Sequence, residues 1–127
     1  MKKQRPVNLS LTDLATIKMH PAAYASLLHR VSGVIMVFAI GILLWVLSLS
    51  LSSAEDFSQL QATLDGFFFK FILLGVLSAL IYHLLGGIRH LIMDLGHFEE
   101  LASGNISAKI VMVLWFVLTL VVGVWLW

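Results

Sequence analysis

The sequence predicts an all-α membrane protein with three transmembrane helices that form part of a larger helical bundle. Composition is the first observation: 60% of the 127 residues are hydrophobic and 12% are charged, and the mean hydropathy is +0.98. Such a chain lacks the polar surface of a soluble domain. The second observation is a series of apolar runs, each long enough to cross a bilayer. We therefore expect one membrane domain over residues 1–127.

Three apolar stretches have the length of a membrane span, and they cover about residues 22–51, 67–93 and 106–127. The last is the clearest, because 110–127 carries no charge and would extend about 27 Å at ~1.5 Å per residue. Polar segments at 52–66 and 95–109 join the spans. The pair Gly104-Asn105 in the second of these predicts a turn.

Basic residues set the expected orientation of the chain. Five of the eight precede or open the first span, namely Lys2, Lys3, Arg5, Lys18 and Arg30. The positive-inside rule then places the N-terminal segment 1–21 in the cytoplasm and the C-terminus on the opposite side. A cleaved signal peptide is disfavoured, because about 30 residues precede an apolar run longer than the ~15 of a signal.

The composition also excludes several kinds of site. The sequence has no cysteine, which rules out disulfides, thiolate-bound zinc, iron–sulfur ligation and a CxxCH haem attachment within this chain. Its basic residues form no patch interleaved with aromatic residues, so no nucleic-acid partner is expected. A metal or cofactor bound by this chain would depend on histidine.

The first span opens with the polar stretch "SLLHRVSG", in which Ser26, His29, Arg30 and Gly33 share one helix face. Such residues are costly in hydrocarbon. An arginine extending to the lipid headgroups would account for Arg30 alone. It would not account for Ser26 one turn earlier, or for Gly33, which allows a partner to approach closely.

The second span carries a stripe of two histidines, the carboxylate of Asp94 and two glycines in "YHLLGGIRHLIMDLGH". At about 100° per residue, His90 lies about 20° from His83, and Gly86 and Gly87 flank the same line. A packed, hydrogen-bonded histidine would be the ordinary interpretation of His83. The glycines favour a flat macrocycle instead, since its axial imidazole brings it against the nearby backbone.

Haem would match this set of side chains, because a neutral imidazole is a good axial ligand and Arg and His suit anionic propionates. His83 cannot supply both axial positions. His90 is about 10 Å away on the same helix, and His29 lies nearer the membrane surface than His83. We therefore expect the second axial ligand on another polypeptide.

Two segments carry a resemblance to a known family: "RPVNL" (5–9) leading to "SLLHRVSG" (26–33), and "HLLGGIRHLIMDLG" (83–96), which fits the pattern H-x3-G-x-R-H-x3-D-x-G. With these segments the chain resembles the cytochrome b subunit, the larger membrane anchor, of bacterial succinate dehydrogenase of the enterobacterial type. The resemblance covers nearly the whole chain and shows no departure at a functional position.

The resemblance implies a four-subunit enzyme of the tricarboxylic acid cycle and respiratory electron transport. A flavoprotein subunit would oxidise succinate, an iron–sulfur subunit would pass electrons to ubiquinone, and a second membrane anchor would share haem b with this chain. The chain would lie in the lipid of the bacterial inner membrane, with a cytoplasmic N-terminus and a periplasmic C-terminus. Alone, it is not expected to be catalytic.

The resemblance also implies roles for particular residues. Ser26 and Arg30 would bind the quinone, His83 would be the axial ligand and hence the metal-binding residue, and His29, Arg30 and His90 would serve the haem propionates. A positive charge at Arg30 would stabilise the negative charge that a quinone acquires on reduction. Two alternatives stay open: an anchor subunit of a quinol:fumarate reductase, and a non-redox membrane scaffold in which His83 is a packing residue.

Overall fold

Helices form most of the chain that the structure describes. The structure is a computed structural model, and it describes Ser10, Thr12 and residues 16–127. Most of the predicted cytoplasmic segment 1–21, including "RPVNL" at 5–9, lies outside the described residues. Within residues 21–126 the chain forms four helices, which are α1 (Pro21–Ser50), α2 (Ala54–Leu64), α3 (Phe67–Asp94) and α4 (Leu101–Leu126).

Three of these helices, α1, α3 and α4, are long and apolar enough to cross a membrane. They confirm the prediction of an all-α protein with three transmembrane helices. Pro21 lies in the first turn of α1, where its missing N–H costs no intrahelical bond. α1 extends over the first apolar stretch of the sequence, and α3 over the second.

Small residues mark where the helices approach one another. Ala25, Ala39, Ala79 and Ala108 are all buried, whereas Val124 is 82% exposed on the outer surface. Small side chains at helix contacts allow the close backbone approach that membrane helices need. The outer surface carries exposed apolar side chains along all three long helices, as expected for contact with lipid or with another membrane subunit.

The predicted turn at Gly104-Asn105 is wrong, because α4 begins at Leu101 and contains both residues. Tertiary contacts favour the helix here. The Gly104 carbonyl accepts a hydrogen bond from the Arg89 side chain of α3, and the Asn105 side-chain oxygen accepts one from the Ala22 N–H at the start of α1.

The chain instead reverses just after α3. The backbone of Gly96 is left-handed, with φ of 84°, and its N–H donates a hydrogen bond to the Met93 carbonyl at 2.9 Å. The N–H of His97 bonds the Ile92 carbonyl at 3.3 Å. This pair of bonds is a Schellman motif, which ends a helix most readily when a glycine occupies the left-handed position.

The segment 52–66, expected only to join two spans, contains the short helix α2. Ser53 caps this helix by accepting a hydrogen bond from the N–H of Asp56 at 3.0 Å. At the start of α3, Lys70 pairs with Asp65 at 2.8 Å. The hydrogen bond from Lys70 and its positive charge hold the pKa of Asp65 below its usual value.

Candidate functional site

Three histidines form a column where α1 packs against α3. The ring of His29 from α1 stacks on His83 of α3, with centroids 4.2 Å apart and planes inclined by 7°. The ring of His90, two turns along α3, lies 5.0 Å from His29 at an angle of 54°. We call His83, His29 and His90 the histidine column. The structure thus brings together three residues that the sequence predicted for one site.

Hydrogen bonds determine which nitrogen of His83 carries a proton. Its Nδ1 lies 3.2 Å from the carbonyl oxygen of His29 and 3.1 Å from Oγ of Ser32. The carbonyl can only accept, and Ser32 donates its one hydroxyl hydrogen to the same carbonyl at 2.7 Å. Nδ1 must therefore be the donor to both oxygens. In the neutral ring, Nε2 then keeps a free lone pair.

That Nε2 atom makes no hydrogen bond with any residue in the described part of the chain. The His83 ring borders an open groove on the outer side of α3. The groove has a largely apolar wall, in which Leu84 is 60% and Leu91 65% exposed. Its lining residues are His29, His83, Leu84, Gly87, Ile88 and Leu91. An imidazole lone pair beside an apolar wall suits a metal held in a flat, apolar macrocycle.

The glycines serve the histidine column more directly than the sequence suggested. A Cβ on Gly86 would lie 2.7 Å from Cδ2 of His29, and one on Gly33 would lie 3.2 Å from Cε1 of His83. These two positions are therefore in contact with the histidine rings rather than open to a macrocycle. Only Gly87 of the predicted pair lines the groove, where its Cβ would be 3.8 Å from Nε2 of His29.

His29 is not arranged as a second axial ligand. Two axial ligands would have to lie on opposite faces of a macrocycle. The stacked rings of His29 and His83 are 4.2 Å apart, which leaves no room for a macrocycle between them. The Nε2 atom of His29 is buried and makes no hydrogen bond within the described residues. Burying such a group without a partner costs about 1–3 kcal/mol. A polar group from outside the chain would remove this cost.

Ser26 and Arg30 lie one turn apart on α1 and leave their side-chain donors free. Ser26 is half-buried and Arg30 is exposed. Neither side chain makes a hydrogen bond or an ion pair within the described part of the chain. The structure therefore does not join Arg30 to His83 or to His90 by a direct bond. It leaves Ser26 and Arg30 available to a ligand or a partner.

Arg89 has a different environment, although it lies between the histidines in sequence. It is only 5% exposed, and it donates from Nε to Ser107 Oγ at 2.9 Å and from Nη2 to the Gly104 carbonyl at 3.1 Å. Arg89 is six positions along the helix from His83, which places it about 120° around the helix. Arg89 thus joins α3 to α4, away from the histidine column.

The sequence alone missed two residues that shape the site. Ser32 is buried and bonds His83, and the signal was its position three residues after His29 on the same helix face. Tyr82 donates from its hydroxyl to the carbonyl of Ala25 at 3.0 Å and packs edge-on against Trp115 of α4. It fixes α1 and α4 to α3 beside the column, and no sequence signal indicated it.

Comparison with known proteins gives a consistent result. The family described as the succinate dehydrogenase/fumarate reductase transmembrane subunit matches residues 1–122. The chain is 40% identical over 130 residues to the succinate dehydrogenase cytochrome b556 subunit of Coxiella burnetii, with all of both chains covered.

Two further relatives extend the comparison. The cytochrome b556 subunit of Rickettsia felis is 36% identical over 111 residues, covering 87% of this chain and 86% of the relative. The cytochrome b560 subunit of Reclinomonas americana is 30% identical over 127 residues, covering 95% and 85%. With a family match over almost its whole length, this multi-pass membrane protein belongs to the succinate dehydrogenase/fumarate reductase transmembrane subunit family.

Proposed function

We propose that this chain is the membrane-anchoring cytochrome b subunit of a succinate:ubiquinone oxidoreductase. It binds haem b together with a second anchor subunit and contributes to the ubiquinone site, next to the iron–sulfur and flavoprotein subunits. It lies in the bacterial inner membrane with its N-terminus in the cytoplasm and its C-terminus in the periplasm. The observation that carries this proposal is His83, with Nδ1 committed to two oxygens and Nε2 free beside an apolar groove.

The residues present fit haem b. His83 would hold the iron through Nε2, and Leu84, Gly87 and Ile88 would contact the macrocycle. The buried, unpartnered Nε2 of His29 is suited to a propionate oxygen. His90, at the end of the column, and Arg30 would serve the same anionic groups. When bound, haem supplies one-electron transfer, and the protein supplies the ligand, the packing and the local charge.

The open side of the groove supports the need for a partner. Leu84, Ile88 and Leu91 are all exposed on α3. His29 is stacked on the ring of His83, so it would not supply a second ligand to the same metal. A second anchor subunit would cover this face and supply the other axial ligand, so the chain alone should neither hold a six-coordinate haem nor catalyse the reaction.

Ser26 and Arg30 are the proposed contribution to ubiquinone binding. Both can donate hydrogen bonds to a quinone carbonyl oxygen, and neither donor is used within the described chain. The positive charge of Arg30 would also favour the negative charge that reaches the quinone with the first electron. The relatives described above are subunits of succinate dehydrogenase, which favours succinate oxidation over the fumarate-reducing alternative.

Substitution of the two α3 histidines in the assembled complex tests the proposal. In His83→Ala the optical and electron paramagnetic resonance signals of a haem with two axial ligands should disappear. In His90→Ala they should persist with an altered midpoint potential, because His90 is placed near the propionates rather than the iron. The reverse pattern, with axial ligation lost in His90→Ala and kept in His83→Ala, would contradict the assignment.

A further inference from the structure

We infer that Ser32 is a positioning residue for the haem ligand: it fixes the ring of His83 and raises its strength as an iron ligand. This inference rests on the proposed function and extends it to a residue that lies on another helix. Ser32 does not line the groove that would hold the macrocycle, and its hydrogen bonds reach only His29 and His83 among the described residues. Its effect must therefore act through His83.

Three hydrogen bonds join the Ser32 hydroxyl, the His29 carbonyl and Nδ1 of His83. Ser32 Oγ donates to the His29 carbonyl at 2.7 Å, and Nδ1 of His83 donates to both Ser32 Oγ and that carbonyl. If Ser32 donated to Nδ1 instead, the lone pair of Nδ1 would face the carbonyl oxygen at 3.2 Å, which is repulsive. The His29 carbonyl thus selects the tautomer that leaves Nε2 free, and the Ser32 hydroxyl accepts a second hydrogen bond from the same Nδ1.

Ser32 is well placed to hold this arrangement within the membrane. It is 5% exposed, so its hydroxyl is largely shielded from solvent. The neighbouring Gly33 lies against Cε1 of the same imidazole. One turn of α1 therefore holds two edges of the His83 ring, by hydrogen bonds at Nδ1 and by contact at Cε1.

Such a bond changes the properties of a metal-binding imidazole. A hydrogen bond donated by the second ring nitrogen increases the basicity of the first, and a more basic axial ligand favours ferric over ferrous haem. Loss of the Ser32 acceptor should therefore shift the haem midpoint potential to more positive values. The His29 carbonyl would still accept from Nδ1, so the ligand itself should be kept.

The test compares three variants in the fully assembled complex at matched content. Ser32→Ala removes the acceptor and should raise the midpoint potential and move the low-field signal of the oxidised haem. Ser32→Thr keeps a hydroxyl at this position and should stay close to wild type. Ser48→Ala is the matched control on the same helix, because Ser48 makes a similar bond to the Trp45 carbonyl and no bond to a histidine.

Two results would overturn the inference. One is a wild-type potential and signal in Ser32→Ala, and the other is an equal shift in Ser32→Ala and Ser32→Thr. If Ser32→Ala fails to assemble, Ser32→Cys is the deciding variant. A thiol is a weaker acceptor than a hydroxyl, so the midpoint potential should shift in the same direction by a smaller amount. An unshifted potential in Ser32→Cys would count against a positioning role for Ser32. His83→Ala separates the two proposals: a haem unchanged in that variant would refute the ligand assignment itself.

Discussion

The two contacts that α3 makes with its neighbours differ in how their polar groups are satisfied. Towards α4, the Arg89 side chain bonds Ser107 and Gly104, and Trp115 bonds Ser78 at 2.9 Å. Towards α1, the buried Nε2 of His29 has no partner in the described chain. The α3–α4 contact is complete within the chain, and the α1–α3 contact is not.

This difference separates polar groups that the fold satisfies from one that it leaves without a partner in the described chain. A hydrogen-bonded polar group between membrane helices helps to hold them together, whereas a buried, unpartnered one carries a cost that folding does not offset. Tyr82 shows that α1 also has satisfied contacts with α3, through the Ala25 carbonyl. The buried Nε2 of His29 therefore differs from the satisfied groups of the α3–α4 contact, as expected if it faces the ligand proposed above.

The largest expected effect on stability is in the α3–α4 contact. Ser107→Ala leaves the charged Nε of Arg89 buried without its acceptor, which should cost about 1.5–3 kcal/mol. Heat inactivation of the assembled complex should occur at a lower temperature, while the haem spectrum of the intact fraction stays as in wild type. Ser103→Ala is the control, because the single hydrogen bond of the Ser103 side chain within the described residues goes to the Glu100 carbonyl of the same region. Equal stability of the two variants would contradict the role of Arg89.

A smaller effect is expected where α1 packs on α3. In Gly86→Ala the new methyl group would lie 2.7 Å from the His29 ring, so that the ring must move. Overpacking of this kind lowers stability by about 1–3 kcal/mol. The higher helix propensity of alanine relative to glycine offsets part of this cost.

The matched control for this change is Gly75→Ala, also in α3, where a Cβ would meet nothing within 4 Å. Gly86→Ala should alter both the haem spectrum and the thermal stability, and Gly75→Ala should alter neither or add up to about 1 kcal/mol of stability. If the two alanine variants had the same haem spectrum, the contact between Gly86 and His29 would have no part in the site.

Much of the fold could be predicted from the sequence, because three long apolar runs have few alternatives in a bilayer. The helix boundaries near the polar segments could not be predicted in this way. Ser53 and Asp56 carry a helix-capping pattern that indicates α2, yet the segment reads as a linker by its polarity. Gly104-Asn105 has turn chemistry, but its contacts with Arg89 and Ala22 hold it within α4.

The candidate site could be predicted in its residues but not in its contacts. Helical spacing placed His83 and His90 on one stripe, and the structure has them in one column with His29. Spacing within one helix cannot say which side chain of another helix fills a gap. That limit hid the contact of His29 with Gly86 and the bond from His83 to Ser32.

The central claim is that the free polar groups of α1 serve a ligand, and one ratio tests it most directly. The ratio compares ubiquinone reduction with succinate oxidation by a soluble acceptor that takes electrons from the hydrophilic subunits. Loss of a charged hydrogen bond, about 1.5–3 kcal/mol, should lower this ratio about 10- to 150-fold in Arg30→Leu. Loss of a neutral one, about 0.5–1.5 kcal/mol, should lower it about 2- to 13-fold in Ser26→Ala.

Membranes with matched complex content should show this order, with Ser103→Ala at the wild-type ratio as the control for a serine that bonds only its own helix. Ser26→Ala should also keep a normal haem spectrum. An unchanged ratio in both Arg30→Leu and Ser26→Ala would contradict the account, and would mean that the start of α1 is a helix end whose arginine extends to the lipid headgroups.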